Sequence, residues 1–169
     1  AFRRDCLITS GITFPEKLSV GEDLTFTLRC LLNARSFDFI ECDFYEYRQR
    51  TGPISSSRRG INQSFWSLLS FIEESIKLLC DGEIPKDEKC KYALSFVSYE
   101  YSIALLYLSD VTENADDAQQ KMKELSWVQR FQLSTRGKII TVLTKILGVK
   151  RTSRLLVYAY NKLEGTHNG

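Results

Sequence analysis

Hydrophobic residues recur at helical spacing through most of the second half of the chain. Ile61, Phe65, Leu68, Leu69, Ile72, Ile76 and Leu79 fall on one stripe of a 3.6-residue helix, and the Gly and Pro of DGEIPKD (81–87) stop that helix and start another. The next helix is predicted over about 88–109. The polar connector ENADDAQQ (113–120) then leads into a short charged helix. The stretch TRGKIITVLTKILGVKRTSRLLVYAYNKLEG (135–165) resolves into two amphipathic helices broken near Gly148. On the first, Ile139, Ile140, Val142, Leu143, Ile146 and Leu147 share one arc, and Lys138, Thr141, Thr144 and Lys145 take the other. On the second, Leu155, Leu156, Ala159, Tyr160 and Leu163 oppose Arg151, Arg154 and Lys162. Residues 1–58 have another texture: a short helix at 2–10, a loop, a helix from about Val20 to Ala34, and FDFIECDFYEYRQR (37–50), whose aromatics and alternation predict one or two strands. The expected fold class is mainly α with a small β element (α+β), divided into 1–58 and a helical extension, 59–165.

Composition narrows the chemistry. At 169 residues, with 43% hydrophobic and 26% charged content, the chain has the makings of a soluble globular core. A net charge of +2 gives no argument for a nucleic-acid partner. Cys6, Cys30, Cys42, Cys80 and Cys90 are spread without CxxC spacing and read as buried thiols of a reducing compartment. His167, the only histidine, lies in the tail EGTHNG, which removes Ser-His-Asp and Cys-His mechanisms and any His-rich metal site. The longest apolar stretch, YALSFVSYEYSIALLYL (92–108), is shorter than a bilayer span and carries Glu100 near its middle, so it reads as a buried helix. The opening AFRRDCLITSGI shows an amphipathic segment already under way, and the sequence is expected to begin inside a larger protein.

The acidic pair Glu22–Asp23 in LSVGEDLTFTLRCLL (18–32) has two readings. Ser19 followed three residues later by Glu22, ahead of Leu24, Leu28, Leu31 and Leu32, fits a capping box. Local pattern alone favours that structural reading, and it explains Glu22 better than Asp23. The other reading is catalytic: a carboxylate at a helix N-terminus stays ionised and can accept a proton.

Three elements in order, FRRD (2–5), ITFPEKLSVGEDLTF (12–26) and YEYRQRTGPIS (45–55), make residues 1–57 similar to the second half of the catalytic domain in bacterial family 2 glycosyltransferases, especially those that assemble capsular and other surface polysaccharides. The helical tail also resembles C-terminal extensions in that group. The resemblance implies a GT-A-like fold, a nucleotide-sugar donor, a saccharide or lipid-linked acceptor, and inversion at the anomeric carbon. It assigns the general base to Asp23, with Glu22 as its neighbour. It also implies a divalent metal, Mg or Mn, on the donor diphosphate, held by a DxD-type motif. Residues 1–58 contain no DxD, and Asp116–Asp117 sits in a polar linker. The chain is therefore expected to be the acceptor-side half of the enzyme, cytoplasmic or peripheral on the inner face of the plasma membrane, and inactive when isolated.

Two further features stay open between function and structure. In YEYRQRTGPISSSRR (45–59), Arg48 and Arg50, with Tyr47 and Ser55, could hold the leaving diphosphate; alternatively Arg48 pairs with Glu46 or Asp43 in a solvated loop. From Arg136 to Lys162 there are seven basic residues and no acidic one. The apolar arcs of this tail are expected to pack on the helices at 61–80 and 88–109, while its basic rim suits an anionic membrane surface. The competing reading of the whole chain is a non-catalytic helical interaction module.

Overall fold

The computed structural model of the chain describes residues 2–15, 21–34, 36, 60–80 and 87–165, with side chains described as far as 162. Its elements are α1 (Arg4–Thr9), α2 (Glu22–Asn33), α3 (Ile61–Cys80), α4 (Glu88–Leu108), α5 (Ala115–Glu124), a 3₁₀ segment (Leu125–Phe131) and α6 (Thr135–Gly165). The architecture is mainly α, with no strand among the described residues. The strand expectation for 37–50 falls outside those residues, as do His167 and Cys42.

The core is built on α3 and α4. The apolar stripe read from the sequence is the inner face of α3: Phe65, Leu68, Leu69, Ile72 and Leu79 are buried, and Ile76 packs at the edge. Across from it α4 buries Leu94, Val97, Tyr101, Ala104 and Leu105. Helix α4 also takes in polar residues: Ser98, Glu100 and Ser102 are buried, Ser102 Oγ donates to the Ser98 carbonyl at 3.1 Å, and the Ser98 hydroxyl has no partner among the described residues. Tyr101 donates to the Met122 carbonyl at 2.6 Å, and Asp87 accepts the Cys90 N–H at 3.2 Å as the helix cap. The side chain of Asn62 clamps the chain beyond α4, accepting from the Thr112 N–H at 2.9 Å and donating to Thr112 Oγ1 at 3.0 Å.

Helix α2 lies on this pair and joins two apolar clusters. Leu28 enters the main core, whereas Phe26 and Cys30 form a small cluster with Ile12 and Leu7, roofed by Phe2 and Phe14. Its C-terminal end is held by Lys89 of α4, whose Nζ donates to the Leu32 and Ala34 carbonyls at 2.6 and 3.1 Å. Of the thiols expected to be buried, Cys30 is; Cys6, Cys80 and Cys90 are half-buried, and all four are free. Burial pushes the thiols of Cys30, Cys80 and Cys90 up, so none of the three is a ready thiolate.

The tail is broken at Gly148, where φ is 76° and ψ 166°, as its sequence predicts. Its orientation is not as expected. Gly137, Thr141 and Thr144 face the core, while Ile139, Val142 and Ile146 point outward. Only the margin of the apolar arc, including Ile140, packs inward. Beyond the break Val149, Thr152 and Ser153 are buried, and Leu155 and Tyr158 are exposed.

For the first segment the reason lies in what α6 meets; beyond the break the buried Thr152 and Ser153 hydroxyls have no hydrogen-bond partner among the described residues. The 3₁₀ segment and its exit bury Gln129 and Gln132, whose polar groups require partners. Gln132 Nε2 donates to the Ser98 carbonyl at 2.7 Å and to Ser102 Oγ at 3.1 Å. The Thr141 hydroxyl is shared between the Gly137 carbonyl of its own helix at 2.9 Å and the Gln129 carbonyl at 3.2 Å, and Gln129 Nε2 donates to Thr144 Oγ1 at 3.3 Å. Gly137 provides the room, since a Cβ there would stand 2.1 Å from Gln132 Oε1. Gly137→Ala must therefore displace Gln132 from both bonds. The expected cost is about 1–3 kcal/mol for the buried groups left unpaired, read as a lower urea midpoint with unchanged m-value. A wild-type midpoint would show that Gln132 has another comfortable position.

Candidate functional site

The acidic pair is built from its glycine. Gly21 is buried in the left-handed region (φ 83°, ψ 10°), and a Cβ on it would stand 3.2 Å from Phe71 Cβ of α3. Glycine is thus required twice, by its backbone angle and by its approach to Phe71. The turn throws the chain directly into α2, whose first bond runs from the Thr25 N–H to the Gly21 carbonyl at 2.9 Å.

This geometry corrects the capping-box expectation. The N-cap is Gly21, with no side-chain cap bond, so Glu22 occupies the first helical position rather than the third. Ser19 lies outside the described residues. A free first-turn donor is instead taken by Asp23, whose Oδ1 accepts the Leu24 N–H at 2.8 Å. Glu22 is half-buried and Asp23 exposed. Because Gly21 sets this turn, Gly21→Ala should cost about 1–3 kcal/mol, seen as a lower Tm. An unchanged Tm would refute the double requirement.

Behind Asp23 stands a carboxyl that sequence reasoning used only as a mark against a membrane span. Glu100, from the middle of α4, is 7% exposed. Burial, and then the negative charge of Asp23, push its pKa up to about 7. Among the described residues no cation pairs with either group. The fold has brought two carboxyl groups from distant parts of the sequence into electrostatic contact. One is solvent-facing at a helix N-terminus; the other is buried and half-protonated near neutral pH. Such a pair can accept a proton at the exposed member while the buried one adjusts its own charge. The available sequence signal was a lone glutamate inside an apolar and aromatic helix.

The other expected site residues, Arg48, Arg50, Tyr47 and Ser55, lie outside the described residues. Among the described residues no group of three or more His, Cys, Asp or Glu side chains could hold a metal ion; the resemblance places the ligands of its divalent metal mostly outside this chain. Asp116 and Asp117 occupy the exposed first turn of α5. An open cleft of about 530 Å³ between α5 and the Gly148 break is lined by Lys123, Lys150, Arg151 and Asp116, and by no member of the acidic pair. No described helix is long and apolar enough to cross a membrane.

Comparison with known proteins returned no match to a protein-family model, to a curated protein or to a solved structure.

Proposed function

We propose that the chain is the acceptor-side, C-terminal part of an inverting glycosyltransferase with a GT-A-like domain, moving a sugar from a nucleotide-sugar donor to a saccharide or lipid-linked acceptor in surface polysaccharide synthesis. The observation that carries this reading is Asp23: an exposed carboxylate, without a cationic partner among the described residues, held at the first turn of α2 by a buried glycine. An acceptor hydroxyl attacking a sugar carbon loses its proton as the new bond forms. Asp23 would take that proton, and one of its oxygens is steadied by the Leu24 N–H. Glu100, behind it, opposes further negative charge at this place when ionised. The reading also includes a small β element over 37–50, Arg48, Arg50, Tyr47 and Ser55 on the leaving diphosphate, and a cytoplasmic enzyme peripheral to the inner face of the plasma membrane. Donor binding, and the divalent metal with it, would belong to residues other than those described.

The test compares the 169-residue chain with the full-length enzyme that this reading requires. With a panel of nucleotide sugars and metal, the chain alone should neither transfer nor hydrolyse, because positioning of the donor supplies much of the rate. Metal-dependent transfer by the isolated chain would overturn the half-enzyme reading. The second reading, a non-catalytic helical interaction module, is favoured by the apolar side chains that α6 turns outward. It would stand if the full-length protein showed no transfer.

A further inference from the structure

The outward side of α6 is a surface in want of a partner. Ile139, Val142 and Ile146, spaced at i, i+3 and i+7, are 56%, 53% and 74% exposed. They form one line on the helix; Leu133, just before the helix, is exposed as well. Lys138 and Lys145 flank this line on one side and Arg136 on the other, all exposed. The helix cannot roll to hide the stripe. Its inner face is locked by the Thr141 and Thr144 hydrogen bonds and by the approach of Gly137 to Gln132. Past the Gly148 break, Arg151, Arg154, Leu155 and Tyr158 are exposed on the outer side of the second segment.

We infer that α6 docks on an anionic lipid surface, with Ile139, Val142 and Ile146 entering the headgroup–acyl boundary and the flanking basic residues meeting lipid phosphates. Charge selects this occupant. Seven basic and no acidic residues between Arg136 and Lys162 oppose a second copy of the same face, which would meet like charge with like. An apolar line bordered by long cationic side chains suits a bilayer, since lysine stems lie along apolar surface while their heads reach the phosphates. None of the described helices is built to span, so the contact is with the surface. This gives a physical face to the peripheral placement proposed above. It rests on that placement alone and not on glycosyl transfer.

The experiment is co-sedimentation of the 169-residue chain with vesicles of phosphatidylcholine alone or mixed with phosphatidylglycerol. The chain should pellet with the mixed vesicles at low salt, bind the neutral ones weakly, and be released as ionic strength rises. The double variant Ile139→Gln and Ile146→Gln keeps good helix formers at exposed positions, so its melt should match wild type while its affinity for mixed vesicles falls about tenfold or more. Lys138→Gln with Lys145→Gln should reduce binding to mixed vesicles and flatten the salt dependence. Wild-type protein left in the supernatant with both compositions overturns the inference, as does equal binding to both. Vesicle binding that survives the double isoleucine change overturns it too. Self-association in lipid-free buffer that the same change abolishes would assign the stripe to a second copy instead.

Discussion

On the proposed glycosyltransferase reading, Asp23→Asn in the full-length protein should lower kcat by about 10²–10⁴-fold with little change in donor affinity. Asparagine keeps the shape of the side chain and an oxygen able to accept the Leu24 N–H, so the first turn of α2 and the Gly21 bend should survive. What it loses is the capacity to take a proton. Steady-state transfer beside a thermal melt separates the two effects. Glu22→Gln is the internal control, because Glu22 sits half-buried at the first helical position and makes no cap bond among the described residues. Its turnover and Tm should both stay close to wild type. Near-wild-type turnover in Asp23→Asn would reduce the GED turn to a structural feature. A dead Glu22→Gln with an active Asp23→Asn would move the base by one residue.

The second large effect concerns Glu100 and does not depend on any activity. Its folded pKa of about 7 lies above the ordinary 4.5, so the folded state binds this proton more tightly than the unfolded chain does. A raised carboxyl pKa means stability that is present in acid and lost as pH rises from about 4.5 through about 7. That interval corresponds to about 3 kcal/mol. Glu100→Gln cannot ionise. It should be more stable than wild type by up to about 3 kcal/mol above neutrality and nearly equal to it in mild acid. Urea denaturation of both proteins across this range gives the difference directly, and other titrating groups cancel. Asp23→Asn should move the wild-type transition toward lower pH by removing the charge that opposes ionisation of Glu100. A difference between wild type and Glu100→Gln that does not vary with pH would show that the carboxyl reaches water in the folded state.

Much of the helical layout was legible because the inner faces concerned are apolar. The α3 stripe, the end of α3 at Cys80, the span of α4 and the break at Gly148 follow from periodicity and from the conformational limits of glycine and proline. The 3₁₀ segment was not read, since LSWVQRF has no repeat long enough to show its geometry. The α6 wheel was read correctly but oriented wrongly. A hydrophobic wheel assumes an apolar core, and this part of the core contains Gln129 and Gln132, for which Thr141, Thr144 and the bare Gly137 are the better neighbours. At the candidate site, Asp23 was named from its helix-start position. Gly21 was overlooked as the residue that sets the turn, because its reason is Phe71, fifty residues away.

By itself the amino-acid sequence determined where the described α-helices lie, that α4 carries a long apolar face for the core, and that the tail is basic from Arg136 to Lys162. These are local properties, set by side-chain periodicity, by glycine and proline, and by charge counted along the chain. Tertiary structure alone decided which face of α6 turns to solvent and which carboxyl stands behind Asp23. Both depend on contacts between residues far apart in the chain. The buried Gln129 and Gln132 take Thr141, Thr144 and the bare Gly137 as their neighbours on the inner side of α6, and the packing of α2 on α4 set Glu100 against a charge that no nearby residue announces.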